Sequence, residues 1–147
     1  MEHEDYMRQA LALAQEAAAA GEVPVGCVIV KDGVVVGRGR NRREEDRSAL
    51  AHAELAAIED ACRTLGDWRL LGTRLYVTLE PCPMCAGGII SARIPEVYYG
   101  AKDAGFGACG SILNLFEEEF RHHPKLRGRI LEEECKAVLQ EFFRGMR

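Results

Sequence analysis

Two short stretches carry the residue types that could do chemistry. One is His52-Ala53-Glu54, and the other is Pro81-Cys82-Pro83-Met84-Cys85. Together they offer one imidazole and two thiols, a donor set that suits zinc. Three protein ligands leave a fourth tetrahedral position for water, which distinguishes a catalytic zinc site from a closed structural one. Glu54, two residues past the imidazole, is placed to carry that water's proton. The chemistry expected is hydrolysis, with one Zn2+ per chain held by His52, Cys82 and Cys85 and with Glu54 as the catalytic carboxyl.

These residues must be aimed at one point, and helix starts can do that. Proline is well tolerated at a first helical position, so Pro81 and Pro83 mark the passage from a strand into a helix. Cys82 and Cys85, three apart, then share one face of its first turn, where the positive end of the helix dipole favours thiolates. His52 and Glu54 are two apart and would diverge inside a helix, but they can converge beyond its mouth. Both motifs are therefore expected at helix N-termini facing one ion. A Cys-x-x-Cys can also be a redox pair, but here that motif's usual setting is missing and a histidine and glutamate are supplied. A structural site would need a fourth ligand, for which Cys109 is the nearest candidate.

The chain has 147 residues, enough for one domain, 1–147, with its own core. No apolar run is long enough to span a bilayer. The acidic start, Met-Glu-His-Glu-Asp, has no signal-peptide pattern, so a reducing cytoplasm is the expected location and disulfides are not expected for the six cysteines. Cys27, Cys62, Cys109 and Cys135 read as small buried apolar residues. Net charge is −4, which does not mark a nucleic-acid binder by its sum. Two basic clusters stand out: Arg38, Arg40, Arg42 and Arg43, and Arg121, Lys125, Arg127 and Arg129 with Arg144 and Arg147 at the end. Such clusters can bind phosphates locally or simply face solvent.

In order, the spacing predicts a helix from Asp5 to Ala20, capped by Asp5, with Met7, Ala10, Leu11, Ala14 and Ala17 as its apolar stripe. Val25 to Val30 and Val34 to Val36 flank Asp32-Gly33 and predict an antiparallel hairpin. Their unbroken apolar runs predict cover on both faces. Arg38 to Leu50 reads as a loop that delivers the chain to His52. Ala51 to Thr64 is the next helix, ended by Gly66. Arg74 to Leu79 is a strand, followed by the cysteine helix to Ala92 and a strand at Val97-Tyr98-Tyr99. Strand, helix, strand implies a parallel pair, so the sheet is mixed. Gly100 to Gly110 is a glycine-rich loop able to wrap close to a ligand. Ser111 is expected to cap a short helix through Phe120, Arg121 to Arg129 to be irregular, and Ile130 to Arg144 to form the last helix.

The motif pair, with proline before the first cysteine, is the signature of zinc nucleobase deaminases. Over nearly its full length the chain resembles the bacterial tRNA-specific adenosine deaminases, a branch of the cytidine deaminase-like superfamily. The matching stretches are Gly21 to Gly26, Ala51 to Glu54, Leu75 to Gly87, Gly107 to Ser111 and Leu131 to Arg144. The resemblance implies an α/β fold, a three-layer α/β/α sandwich of the cytidine deaminase type. Its mixed central sheet would have four to five strands with an N-terminal antiparallel hairpin. It implies a homodimer that binds a tRNA anticodon loop and converts its wobble adenosine to inosine. It also implies that Asn41 contacts the target base, that the backbone at Ala53 and the side chain of Val25 line the base pocket, and that Lys102 and Asp103 touch neighbouring nucleotides. The chain departs from the pattern at Ser48-Ala49-Leu50, at Phe106 and in a shortened Lys125–Arg129 connection, which leaves the fifth strand open. Two other functions use the same motifs. One is deamination of a free base or nucleoside of guanine or cytosine type. The other is a zinc-bearing RNA-binding module without turnover, against which Glu54 speaks.

Overall fold

A computed structural model of the chain describes residues 2–146. Its elements run α1 (Glu2–Ala19), β1 (Gly26–Lys31), β2 (Val34–Arg40), α2 (Ala53–Leu65), β3 (Thr73–Leu79), α3 (Pro83–Ser91), β4 (Glu96–Ala101), β5 (Lys125–Arg127) and α4 (Glu132–Gly145), with one 3-10 turn at Leu115–Glu117 before β5. The five strands form one mixed sheet in the order β2-β1-β3-β4-β5. β1 is antiparallel to β2 and β3, while β4 is parallel to both β3 and β5. The fifth strand exists.

The two-residue period of a strand divides the core into two halves. Cys27 and Ile29, Leu75 and Val77, and Val97 and Tyr99 point to one face, where Ala53, Ala57 and Ala61 of α2 and Ala86 and Ile89 of α3 cover them. Val28 and Val30, Tyr76 and Tyr98 point to the other face, under Met7, Ala10 and Leu11 of α1 and Cys135 of α4. The result is the expected three-layer α/β/α sandwich.

Several boundaries differ from the sequence expectations. α1 begins at Glu2 rather than Asp5. Glu2, Glu4 and Asp5 fill its first turn, where carboxylates oppose the positive helix end, and Asp5 pairs with Arg8 instead of capping. The hairpin closes through Asp32 and Gly33, both at positive φ (51° and 76°), as a two-residue turn of this kind requires. β1 is covered on both faces, but β2 is an edge strand with Val34 61% exposed. β2 also runs on to Arg40, four residues past the expected end.

Gly37 and Gly39 explain that extension. A methyl group at Gly37 would lie 2.4 Å from the carbonyl oxygen of Ala57, and one at Gly39 would lie 2.3 Å from that of Ala53. Only bare backbone lets α2 lie this close on the sheet, with alanines facing it. No short helix runs from Ser111 to Phe120. The chain makes a single 3-10 turn there, capped by Asn114 Oδ1 accepting from Phe116 N. α4 buries only Cys135 of its apolar stripe. Cys62 is half-buried, whereas Cys27, Cys109 and Cys135 are buried. Arg147, grouped above with Arg144, lies outside the described residues.

Because Gly39 sets the height of α2, and α2 carries the His52–Glu54 motif at its mouth, Gly39→Ala is expected to lower unfolding stability by roughly 1–3 kcal/mol or more. Gly145→Ala, with nothing within 4 Å of the added carbon, is the comparison. Urea unfolding of both variants checks this; an unchanged midpoint for Gly39→Ala contradicts it.

Candidate active site

His52 is the N-cap residue of α2 and Cys82 that of α3. Both have extended backbone (φ/ψ −89/151° and −77/173°), so their side chains project beyond the helix ends. Pro83 opens α3 at a position where a missing N–H costs nothing, and Cys85 follows in the first turn. The Sγ atoms of Cys82 and Cys85 stand 3.7 and 3.5 Å from His52 Nδ1. A tetrahedral ion with Zn–S and Zn–N bonds of about 2.3 and 2.1 Å holds such donors about 3.6 Å apart. The donor set and its spacing therefore fit zinc, bound through Nδ1. Among the described residues this triad is the one candidate metal cluster, and Cys109 is not part of it.

The two thiols are shifted in opposite directions. Cys82 is pushed down to about 4, first by a hydrogen bond from Cys85 and then, against burial, by His52. Cys85 is pushed far up by the same bond, with burial adding to it. Metal binding displaces the thiol proton. Glu54, only 4% exposed, sits in the first turn of α2 beside this cluster. Burial pushes its carboxyl up to about 7, with the charge of Cys82 adding to the rise.

A cavity of about 690 Å³ opens over the cluster. His52, Glu54 and Cys82 line it together with Val25, Asn41, Lys102, Asp103 and Phe106. Asn41 is buried, and its amide is fixed by backbone: Nδ2 donates to Val23 O (3.0 Å) and Oδ1 accepts from Ala53 N (3.1 Å). One N–H and one lone pair of that amide remain for a ligand. Ala53 is fully buried, does not line the cavity, and has its N–H occupied by Asn41. Arg40 and Arg42 are tied to Glu45 and Asp46, while Arg43 lines the cavity. None of Arg121, Lys125, Arg127 and Arg129 does.

Two buried carboxylates that sequence reasoning passed over hold the cavity walls. Glu22 accepts from the backbone N–H groups of Glu44 (3.1 Å) and Glu45 (2.8 Å), fixing the loop after Asn41. Glu80, at the end of β3, accepts from the N–H groups of Asp103, Cys109 and Ser111, each at 3.0 Å, and from the Ser111 hydroxyl. A methyl at Gly107 would lie 2.4 Å from the Glu80 carboxyl. The glycine-rich loop is thus wrapped around this carboxylate, and its Lys102, Asp103, Ala104 and Phe106 also line the cavity. Burial pushes Glu80 up, but the Ser111 hydroxyl and the three N–H groups outweigh it and hold the carboxyl below its ordinary range. Neither residue type nor spacing marks these two roles in the sequence.

A model of the "Cytidine and deoxycytidylate deaminase zinc-binding region" family matches residues 1–101. The tRNA-specific adenosine deaminase of Bacillus subtilis (strain 168) is 46% identical over 143 residues, covering 97% of this chain and 89% of that relative. The chain belongs to the tRNA-specific adenosine deaminases. A solved structure from studies of A-to-I editing by tRNA:A34 deaminases at the wobble position superposes with a TM-score of 0.89 at 44% identity, covering 92% of this chain and 99% of that one. The X-ray structure of a Bacillus subtilis guanine deaminase gives a TM-score of 0.67 at 42% identity over 73% and 72% of the two chains. His52, Cys82 and Cys85 form the candidate zinc site of this zinc-binding region.

The depressed Glu80 pKa makes a stability prediction with a definite sign. A carboxyl lowered on folding stabilises the protein fully above its unfolded value, near 4.5, and that contribution disappears as pH falls through the lower folded value. Glu80→Gln is expected to cost roughly 1.5–3 kcal/mol at pH 7. The gap from wild type should narrow as unfolding is repeated below pH 4.5. A gap that stays constant down the acid limb contradicts the assignment.

Proposed function

We propose that this chain hydrolyses the exocyclic amine of the wobble adenosine in a tRNA anticodon, giving inosine and ammonia. What carries the reading is one conjunction: a buried, proton-exchanging carboxyl beside a zinc triad, in a chain that matches a tRNA:A34 deaminase structure across nearly its whole length. The residues 1–147 act as one catalytic domain. All six cysteines are free, which favours a reducing compartment such as the cytoplasm. Among the described residues no helix is long and apolar enough to cross a membrane. The homodimer and the anticodon-loop contact rest on resemblance to the family.

Zinc, held by His52, Cys82 and Cys85, supplies Lewis acidity that makes hydroxide available from water at neutral pH. Glu54 accepts the proton of the attacking water. It passes that proton to the ring nitrogen beside C6, then takes the remaining proton of the added hydroxyl and gives it to the departing amine, so that water and adenosine become inosine and ammonia. A carboxyl that burial raises above its ordinary range is suited to give and take these protons. Asn41, its amide locked by Val23 and Ala53, offers its remaining donor and acceptor to the edge of the base. Through that bond the Ala53 backbone acts indirectly, and Val25 supplies an apolar wall. Lys102 and Asp103 stand at the rim, where neighbouring nucleotides pass.

The runner-up, a deaminase of free bases, draws on the guanine deaminase match. A minimal anticodon stem-loop with a wobble adenosine, followed by a panel of free bases and nucleosides, separates the two. Inosine in the stem-loop is expected, and ammonia from free bases alone overturns the reading. Glu54→Ala is expected to keep its zinc and lose roughly 10²- to 10⁴-fold or more in turnover. Undiminished turnover in that variant removes Glu54 from the mechanism.

A further inference from the structure

Phe106 is the most exposed large apolar side chain among those described, at 71%. It does not sit on a loose loop tip. Asp103 Oδ1 accepts from the N–H groups of Gly105 (3.0 Å) and Phe106 (3.1 Å), and Gly107 N donates to Asp103 O (2.9 Å). Ala108 N then donates to Pro81 O (2.8 Å), and Cys109 and Ser111 bond to the buried Glu80. Backbone bonds thus fix the loop on both sides of the ring, and the ring itself is left in water. A ring held in a fixed place with its face in water can receive a flat partner.

The position of the ring narrows that partner. Phe106 lines the same cavity as His52, Cys82 and Glu54. A reacting amine must reach Glu54, which is 4% exposed, whereas Phe106 stands at the open rim. The ring is therefore outside the space of the target base and beside whatever flanks it. Lys102 and Arg43 line the same cavity and offer charge to phosphates. An exposed aromatic face with cations, around a buried reaction centre, fits a single strand whose target base is turned inward and whose neighbour stays at the surface.

We propose that Phe106 is a stacking platform for the unpaired base adjacent to the target adenosine, and so a substrate-binding residue of this chain. The proposal rests on the adenosine reading above, and binding separates the two. The anticodon stem-loop is titrated into zinc-loaded Glu54→Ala protein, with and without a second change at Phe106, and Kd is read by fluorescence anisotropy. Adding Phe106→Ala is expected to weaken Kd between about 5-fold and about 100-fold. Phe106→Tyr or Phe106→Trp keeps most of the affinity; Phe106→Leu, similar in bulk without a ring, does not. On stem-loops with an abasic site on one or the other side of the target, the Phe106→Ala penalty vanishes for one of the two.

Phe120→Ala, which removes an exposed ring that does not line the cavity, leaves Kd unchanged. Four results overturn the proposal: no penalty for Phe106→Ala, a leucine as good as a tyrosine, a penalty that persists on both abasic substrates, or a Phe106→Ala protein that changes its sedimentation mass, which places the ring in a subunit contact. If the unmodified enzyme binds the stem-loop with this dependence on Phe106 yet releases no ammonia from it, the adenosine reading fails and the stacking role stands.

Discussion

Three donor atoms from segments some thirty residues apart must stand within a few tenths of an ångström of one spacing, and the rest of the fold serves that requirement. The two helix mouths deliver them, since a residue at a helix N-cap points past the helix end. The sheet then sets the relative height of the two helices. Gly37 and Gly39 let α2 settle onto β2, with the Ala53, Ala57 and Ala61 face against the strands. β3 leads into α3 through Glu80, Pro81 and Cys82 without a spare residue. A loss of height at either helix would misplace the imidazole against the sulfurs by more than a metal tolerates.

Around that centre the walls are held by carboxylates that never touch the chemistry. Glu22 grips the loop after Asn41, and Glu80 grips the glycine-rich loop. Both are 2% exposed and satisfied by backbone N–H groups, so each converts an irregular segment into a fixed surface. Loops without regular hydrogen bonding would otherwise have their polar backbone groups unpaired or open to water. This division of labour explains how one flexible-looking stretch can present Lys102 and Phe106 in defined places. Charge is treated similarly: Arg40 and Arg42 are used up in ion pairs with Glu45 and Asp46, which leaves Arg43 for the cavity.

The zinc donors were legible because metal chemistry dictates residue types at short spacing, and such spacing survives in a linear reading. The apolar stripe of α1 and the Asp-Gly hairpin were legible for the same reason: their signals are local and periodic. β2 beyond Val36 was not, because Gly-Arg-Gly-Arg has no apolar alternation and its glycines answer to α2, a partner distant in sequence. β5 is three residues of Lys-Leu-Arg, too short for any pattern, and only its pairing with β4 defines it. Glu80 was invisible as an anchor, since a carboxylate that collects N–H groups from residues 103 to 111 leaves no mark at its own position. Asn41 was legible as a turn or a ligand contact; the structure makes it a brace between Val23 and Ala53 that still faces the cavity.

The central claim is that one imidazole and two thiolates hold a single zinc with its fourth position left to solvent. X-ray absorption at the zinc edge of the purified protein tests it most directly. The account predicts one zinc per chain, bound by two sulfurs at about 2.3 Å and two lighter atoms, one of them an imidazole nitrogen. A third or fourth sulfur in the shell, as recruitment of Cys109 would give, or a protein that purifies without stoichiometric zinc, contradicts it.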